Sequence, residues 1–172
     1  MPARSLAAAP TGQLGWWVTG AVKQHLGSAA NHASWLARTD GDGKLVAEQV
    51  VDLGPGHEEL RVLVPMPDGS VWAAGWANST TTNVGNAHNA ALVRFDATGQ
   101  VMTTILPDEA LQQRWLSATV ANSGFHAVGL TTTSGNSNVA RVTRLSVAGA
   151  SQWTYVYTPI ASRAVLLSTV VL

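Results

Sequence analysis

The sequence predicts an all-β chain of about three four-stranded antiparallel units, followed by the first strand of a fourth. Two observations predict it: the chain repeats itself about every fifty residues, and its short apolar runs are broken by Gly or Pro turns. Residues 36–45 (LARTDGDGKL), 92–101 (LVRFDATGQV) and 142–151 (VTRLSVAGAS) align without a gap. Each has an aliphatic residue first, an arginine third (Arg38, Arg94, Arg144) and a glycine eighth (Gly43, Gly99, Gly149). A second block lies upstream of each: 17–20 (WVTG), 72–75 (WAAG) and 126–129 (HAVG). No segment keeps apolar residues at the 3.6-residue period for three turns, although the composition of 112–121 would suit a helix.

The second unit is the clearest. Residues 61–66 alternate, Pro67-Asp68-Gly69 turns the chain, and 71–76 returns. Proline presets φ at the first corner and glycine takes the positive φ at the last. A polar stretch leads to a third strand at 90–95, a turn at 96–99 and a fourth strand at 100–106. The first unit places strands at 5–9, 14–19, 34–39 and 44–53. The third places them at 114–120, 124–130, 140–145 and 151–157, and residues 163–172 read as the opening strand of a fourth. The unit boundaries are then 3–56, 57–110, 111–160 and 161–172. Four short antiparallel strands per unit are the blades of a β-propeller, here an incomplete one, since closed rings take about 4–8 blades. The expectation is a piece of a longer chain carrying further blades, or else a homo-oligomer.

The segments PDGSVWAAG, ALVRFDATGQV and HASWLARTDGDGKL resemble bacterial β-propeller repeats of the delta-60 and SBBP types. The resemblance spans residues 3–172. It implies a bacterial scaffold, often secreted or at the cell surface, and brings no shared catalytic residues.

Composition narrows the function classes. Only 12% of residues are charged, about half the ~25% of ordinary soluble domains. Net charge is zero and no basic cluster exists, which argues against nucleic acid as a partner, because that binding needs many cations. With no cysteine, disulfides and thiolate chemistry are excluded. The apolar run 164–172 is about half the ~20 residues of a spanning helix, so no transmembrane segment is expected. Residues 1–10 hold no apolar stretch of signal-peptide length. Nucleophile elbow, phosphate loop and zinc-protease helix are all missing. No catalytic residue, metal ligand or cofactor is assigned.

Candidate ligand-binding residues sit in the long polar connections 21–33, 76–89 and 131–138. Trp76 lies beside Asn78, with His88, Asn89, His32 and Asn138 at related places. Amides around an indole suit sugars, whose apolar faces stack on aromatics; the bland alternative is that Trp76 packs between units. Arg61 and Arg114, with Arg4 and Arg163, open the innermost strands and could ring an anionic ligand. Their alternative is pairing with Glu58 and Glu59. The three repeat arginines are expected to bond the Asp two residues on (Asp40, Asp96) or backbone at the next turn. Asp40-Gly41-Asp42-Gly43 looks like half a calcium loop but reads better as a tight turn. His32 and His88 lack the spacing of a zinc pair. Trp16, Trp17, Trp35, Trp72, Trp115 and Trp153 are expected in the core between units. The function these features predict is a non-catalytic binding or scaffold module for a carbohydrate or protein ligand. The alternative is a propeller-type glycoside hydrolase or lyase using carboxylates from the connections between units.

Overall fold

The structure is a computed structural model that describes residues 3–10, 15–26, 29–54, 56–78, 88–106, 112–132 and 138–157, with backbone alone at 3–7 and 23–31. The described residues are all β. Strands β1 (Ala3–Pro10), β2 (Gly15–Leu26), β3 (Ala29–Asp40) and β4 (Leu45–Val51) form the first sheet. Strands β5 (Glu58–Pro65), β6 (Val71–Asn78), β7 (His88–Phe95) and β8 (Val101–Ile105) form the second. The third holds β9 (Gln113–Ala121), β10 (Gly124–Thr132), β11 (Asn138–Ser146) and β12 (Ser151–Tyr157). Each sheet is an antiparallel meander in sequence order, and none closes on itself. No helix among the described residues is long and apolar enough to cross a membrane. The expected fourth-unit strand at 161–172 lies outside the described residues.

The helix-compatible stretch 112–121 is strand β9, whose Trp115 is buried between sheets; tertiary burial overrides local propensity there. The connection expected at 21–33 is also largely strand. β2 and β3 pair without interruption from Gly15↔Asp40 to Leu26↔Ala29, so the first sheet's hairpin is longer than the alternation of apolar residues indicated.

The repeat motifs have physical reasons. In each β3–β4-type hairpin the first turn residue accepts hydrogen bonds at its own corner. Asp40 Oδ1 accepts from Lys44 N at 2.9 Å, Asp96 Oδ1 from Gln100 N at 3.0 Å, and Ser146 Oγ from Ala150 N at 3.2 Å. The eighth-position glycines close these turns at φ of 79°, 92° and 81°, a region other residues rarely adopt. The aspartates are therefore spent on their turns and do not pair with Arg38 or Arg94. The Asp40–Gly43 segment is a capped turn, and the described residues hold no group of three or more potential His, Asp or Glu metal ligands.

The glycine that ends the upstream block answers a different need. The pairing of first strand with second strand skips one residue in every sheet: between Ser5 and Ala7, between Leu60 and Val62, and opposite Val128/Gly129. At this bulge the first strand's backbone leans over the second strand. A Cβ on Gly75 would lie 1.8 Å from the Glu59 carbonyl oxygen, and one on Gly129 the same distance from that of Arg114. Only glycine leaves room.

Consecutive sheets join by one repeated contact. Trp17 of the first sheet is buried with its ring edge about 3.8–3.9 Å from the Cβ position of Gly99 in the second. Trp72 of the second is fully buried against Gly149 of the third, and its Nε1 donates to Val147 O at 3.0 Å. In the first joint the equivalent carbonyl, Ala97 O, accepts instead from Arg38 Nη1 at 2.5 Å. Arg94 is drawn elsewhere, to Asp68 Oδ2 at 2.7 Å and Ser70 Oγ, which frees Val147 O for the indole. Arg38 and Arg94 stack on Trp17 and Trp72 at 5.8 and 6.0 Å, so their shared place in the repeat is structural. Arg144 of the third sheet bonds the Asn122 carbonyl and Gln152.

Two apolar clusters follow from this stacking. One joins Trp17, Leu36 and Val51 to Leu63, Val93 and Phe95; the other joins Trp72, Leu92 and Val64 to Phe125, Trp115 and Leu145. The first strand of the second sheet, β5, contacts both β1 and β9, whereas β8 and β12 are largely exposed. Trp16 (50% exposed) and Trp153 (38%) depart from the expected core, because they face away from the second sheet, on the outer faces of the described sheets; Trp35 is half-buried.

Candidate functional site

The bulge and the Gly75 approach bring β5 and β6 together at one end of the second sheet. Glu59 pairs with Trp76, Glu58 with Ala77, and Asn78 with His88. Trp76 is 7% exposed. The guanidinium of Arg61 lies 4.6 Å from its ring centroid and that of Arg114, reaching over from the third sheet, 5.5 Å. Arg61 Nε donates to Glu59 Oε1 at 2.6 Å. Burial first, then the charge of Arg61, pushes the Arg114 pKa down, with Glu59 opposing. Among the described residues, two cations thus share an indole, with the Glu59 carboxylate bonded to one of them.

A polar chain runs from this cluster. With its amide nitrogen turned toward His88, Asn78 donates to His88 Nδ1 and to His57 O, and its oxygen accepts from His57 N, each at 3.1 Å. Those bonds require close approach at Gly56, where a Cβ would collide with the Asn78 side chain. His57 meets His32 Nδ1 to Nδ1 at 2.6 Å, and His32 N donates to Gly56 O at 3.1 Å. The His88 ring stands edge-on to Trp76 at 6.2 Å. Its pKa is pushed down to about 4 by burial, aided by the charges of Arg114 and His57. His88 is therefore neutral at physiological pH, as its acceptor role toward Asn78 requires.

Beside Arg114 lies a small cavity of about 70 Å³, lined also by Gln112, Leu130, Thr132 and Asn138. Thr132 Oγ1 donates to Asn138 Oδ1 at 3.0 Å, and Asn138 is exposed. The guanidinium and two amides converge on a space the size of one carboxylate or a few waters.

Of the residues singled out in the sequence, Trp76, Asn78, His88, Arg61 and Arg114 are brought together, with His32 joined through His57. Asn138 shares the Arg114 cavity. Asn89 pairs with Ala77 and is half-buried beside them. The arginine ring needs correction. Register places Arg4 opposite Ala21, Glu59 opposite Trp76 and Arg114 opposite Leu130. The position is therefore Arg, Glu, Arg, while Arg61 is the bulged residue, equivalent to Leu116. Arg163 lies outside the described residues. Trp76 is also no open stacking platform. The Arg61–Glu59 pair is the alternative the sequence offered for these arginines, whereas sequence reasoning missed His57.

Glu58 is the other perturbed group. Burial, and then the charge of Asp52, raises its pKa to about 8 against the backbone bond from Leu53, whose N donates to Oε1 at 2.6 Å. The folded protein holds a proton there that the unfolded chain releases near 4.5. The resulting stability is complete below that value and is lost as pH rises toward about 8. Urea midpoints of wild type and Glu58→Gln should therefore diverge across this window, the variant gaining on wild type as pH rises. A constant difference would contradict the assignment.

No family model matches the chain, and no curated protein does.

Proposed function

We propose that the three sheets are successive blades of a β-propeller array, and that the array is a non-catalytic binding module. Its ligand sits over the Trp76–Arg61–Arg114 cluster and carries an anionic group, as on an acidic glycan. Support for the array comes from the joint that recurs between sheets, indole on glycine turn, with the inner strands in contact and the last strands outermost. One observation carries the ligand reading: two guanidinium groups, one from each of two sheets, converge on a buried indole with Glu59 as their close carboxylate. Glu58 is protonated at neutral pH and does not offset them. With the indole covered, recognition passes through guanidinium and amide donors, which favour a carboxylate over a neutral ring face. The polar chain of Asn78, His57 and His32 supplies further contacts at the rim.

The hydrolase alternative needs two carboxyl groups facing one gap of about 5–10 Å. Glu58 and Glu59 are neighbours on one strand, and successive strand residues point to opposite faces.

Calorimetric titration with oligogalacturonate, and with a neutral oligosaccharide of equal length, tests the reading. The acidic ligand is expected to bind, with affinity falling at high salt. Arg114→Gln should weaken it by about tenfold or more, the loss of one charged hydrogen bond. Equal binding of the neutral ligand, or full affinity in Arg114→Gln and Arg61→Gln, would overturn the anionic site.

A further inference from the structure

The joint between sheets has a donor face and an acceptor turn, and among the described residues each is left unused once. Across the strands, the donor row is Trp17–Arg38–Ala47 in the first sheet and Trp72–Arg94–Thr103 in the second. Ala47 Cβ reaches within 3.5 Å of the Gly99 Cβ position, so the whole row meets the next sheet. In the third sheet the row is His126–Arg144–Trp153. The indole has moved from the second strand to the fourth, where it stacks on His126 at 5.4 Å and Tyr155 at 5.1 Å. This face meets no further sheet among the described residues, and Tyr155 is 60% exposed. At the opposite end, the turn of the first sheet is the open counterpart. Gly99 and Gly149 are buried under a neighbour, whereas a Cβ on Gly43 would have nothing within 4 Å. Trp16, half exposed, lies on that same free face.

We propose that the aromatic face of the third sheet docks on the Gly43 turn and Trp16 face of the first sheet in a second copy of this chain. Such a contact is head-to-tail, and it continues the geometry that already joins the sheets within one chain. Exposed aromatic surface of this kind marks an interaction face. The described sheets of two such copies number six, inside the range of about 4–8 that closes a ring. The inference rests on the blade stacking proposed above.

The chain has no cysteine, so engineered thiols report cleanly. Trp153→Cys and Gly43→Cys correspond to Ala47 and Gly99, a Cβ spacing suited to a disulfide. Mixed under mild oxidation, the two single variants should form a covalent heterodimer, and neither alone should do so at a comparable rate. Sedimentation of the parent should give twice 18.0 kDa, and Trp16→Lys should weaken that dimer at least tenfold with an unchanged circular dichroism spectrum. A parent that stays monomeric at its highest soluble concentration, or Trp153→Cys linking to itself, would overturn the proposal. An Ala47→Cys/Gly99→Cys disulfide forming within the chain while the intermolecular one fails would sink the docking alone and leave the stacking intact.

Discussion

Gly75→Ala is expected to cost about 3 kcal/mol or more of stability, at the upper end of overpacking effects. The added methyl would sit 1.8 Å from the Glu59 carbonyl oxygen. Its neighbour is backbone, which cannot rotate aside as a side chain can. Relief requires the bulge at Arg61 to open, and that would pull Glu59 and Arg61 away from Trp76. The substitution should therefore lower the urea midpoint strongly and also abolish ligand binding in whatever protein still folds. Gly129→Ala faces the same collision with the Arg114 carbonyl and should behave alike. Gly43→Ala is the contrast: it meets no atom within 4 Å, so only the backbone cost of its positive φ remains, about 1 kcal/mol. A similar loss at all three sites would show that close approach is not the reason for the repeat glycine.

Trp72→Ala should destabilise by about 3–5 kcal/mol. The ring is fully buried between the second and third sheets, contacts Gly149, and stands 6.0 Å from Phe125. Its removal opens a cavity, strips Val147 O of its donor, and leaves Arg94 without its aromatic floor. Trp72→Phe keeps much of the area but lacks the Nε1 donor, and should cost roughly 1–3 kcal/mol, for the smaller ring and the part-buried hydrogen bond to Val147 O left unmade. Trp16→Ala, on a half-exposed ring, should change the stability of the isolated monomer far less. Chemical denaturation of the three variants gives the ranking directly. Comparable losses for Trp16 and Trp72 would contradict the stacking.

Much of the architecture was legible because the repeat carries its own punctuation. The Asp-Ala-Thr-Gly and Pro-Asp-Gly turns fix strand ends through side-chain capping and positive φ, both local effects that sequence displays. The Trp-x-x-Gly block was visible as a repeat, but its cause was not. The glycine answers to a bulge on a different strand, and a bulge of one residue leaves no compositional mark. The same slip misplaced Arg61 in the arginine series, although its pairing with Glu59 could be read from sequence. Trp16 and Trp153 read as core because alternation identifies a face without saying whether another sheet covers it. The site was half legible. Trp76, Asn78 and His88 are close in sequence, whereas the reach of Arg114 from the third sheet and the His32–His57 contact depend on how sheets meet.

The central claim is that consecutive sheets meet through one recurring joint, second-strand indole against third-to-fourth-strand turn. The direct measurement is disulfide trapping of Ala47→Cys with Gly99→Cys in the otherwise cysteine-free chain, followed by mass and gel mobility under native oxidising conditions. The account predicts near-complete closure within a single chain, since the two Cβ positions stand 3.5 Å apart. Two persistent free thiols in a folded, β-rich protein would contradict it.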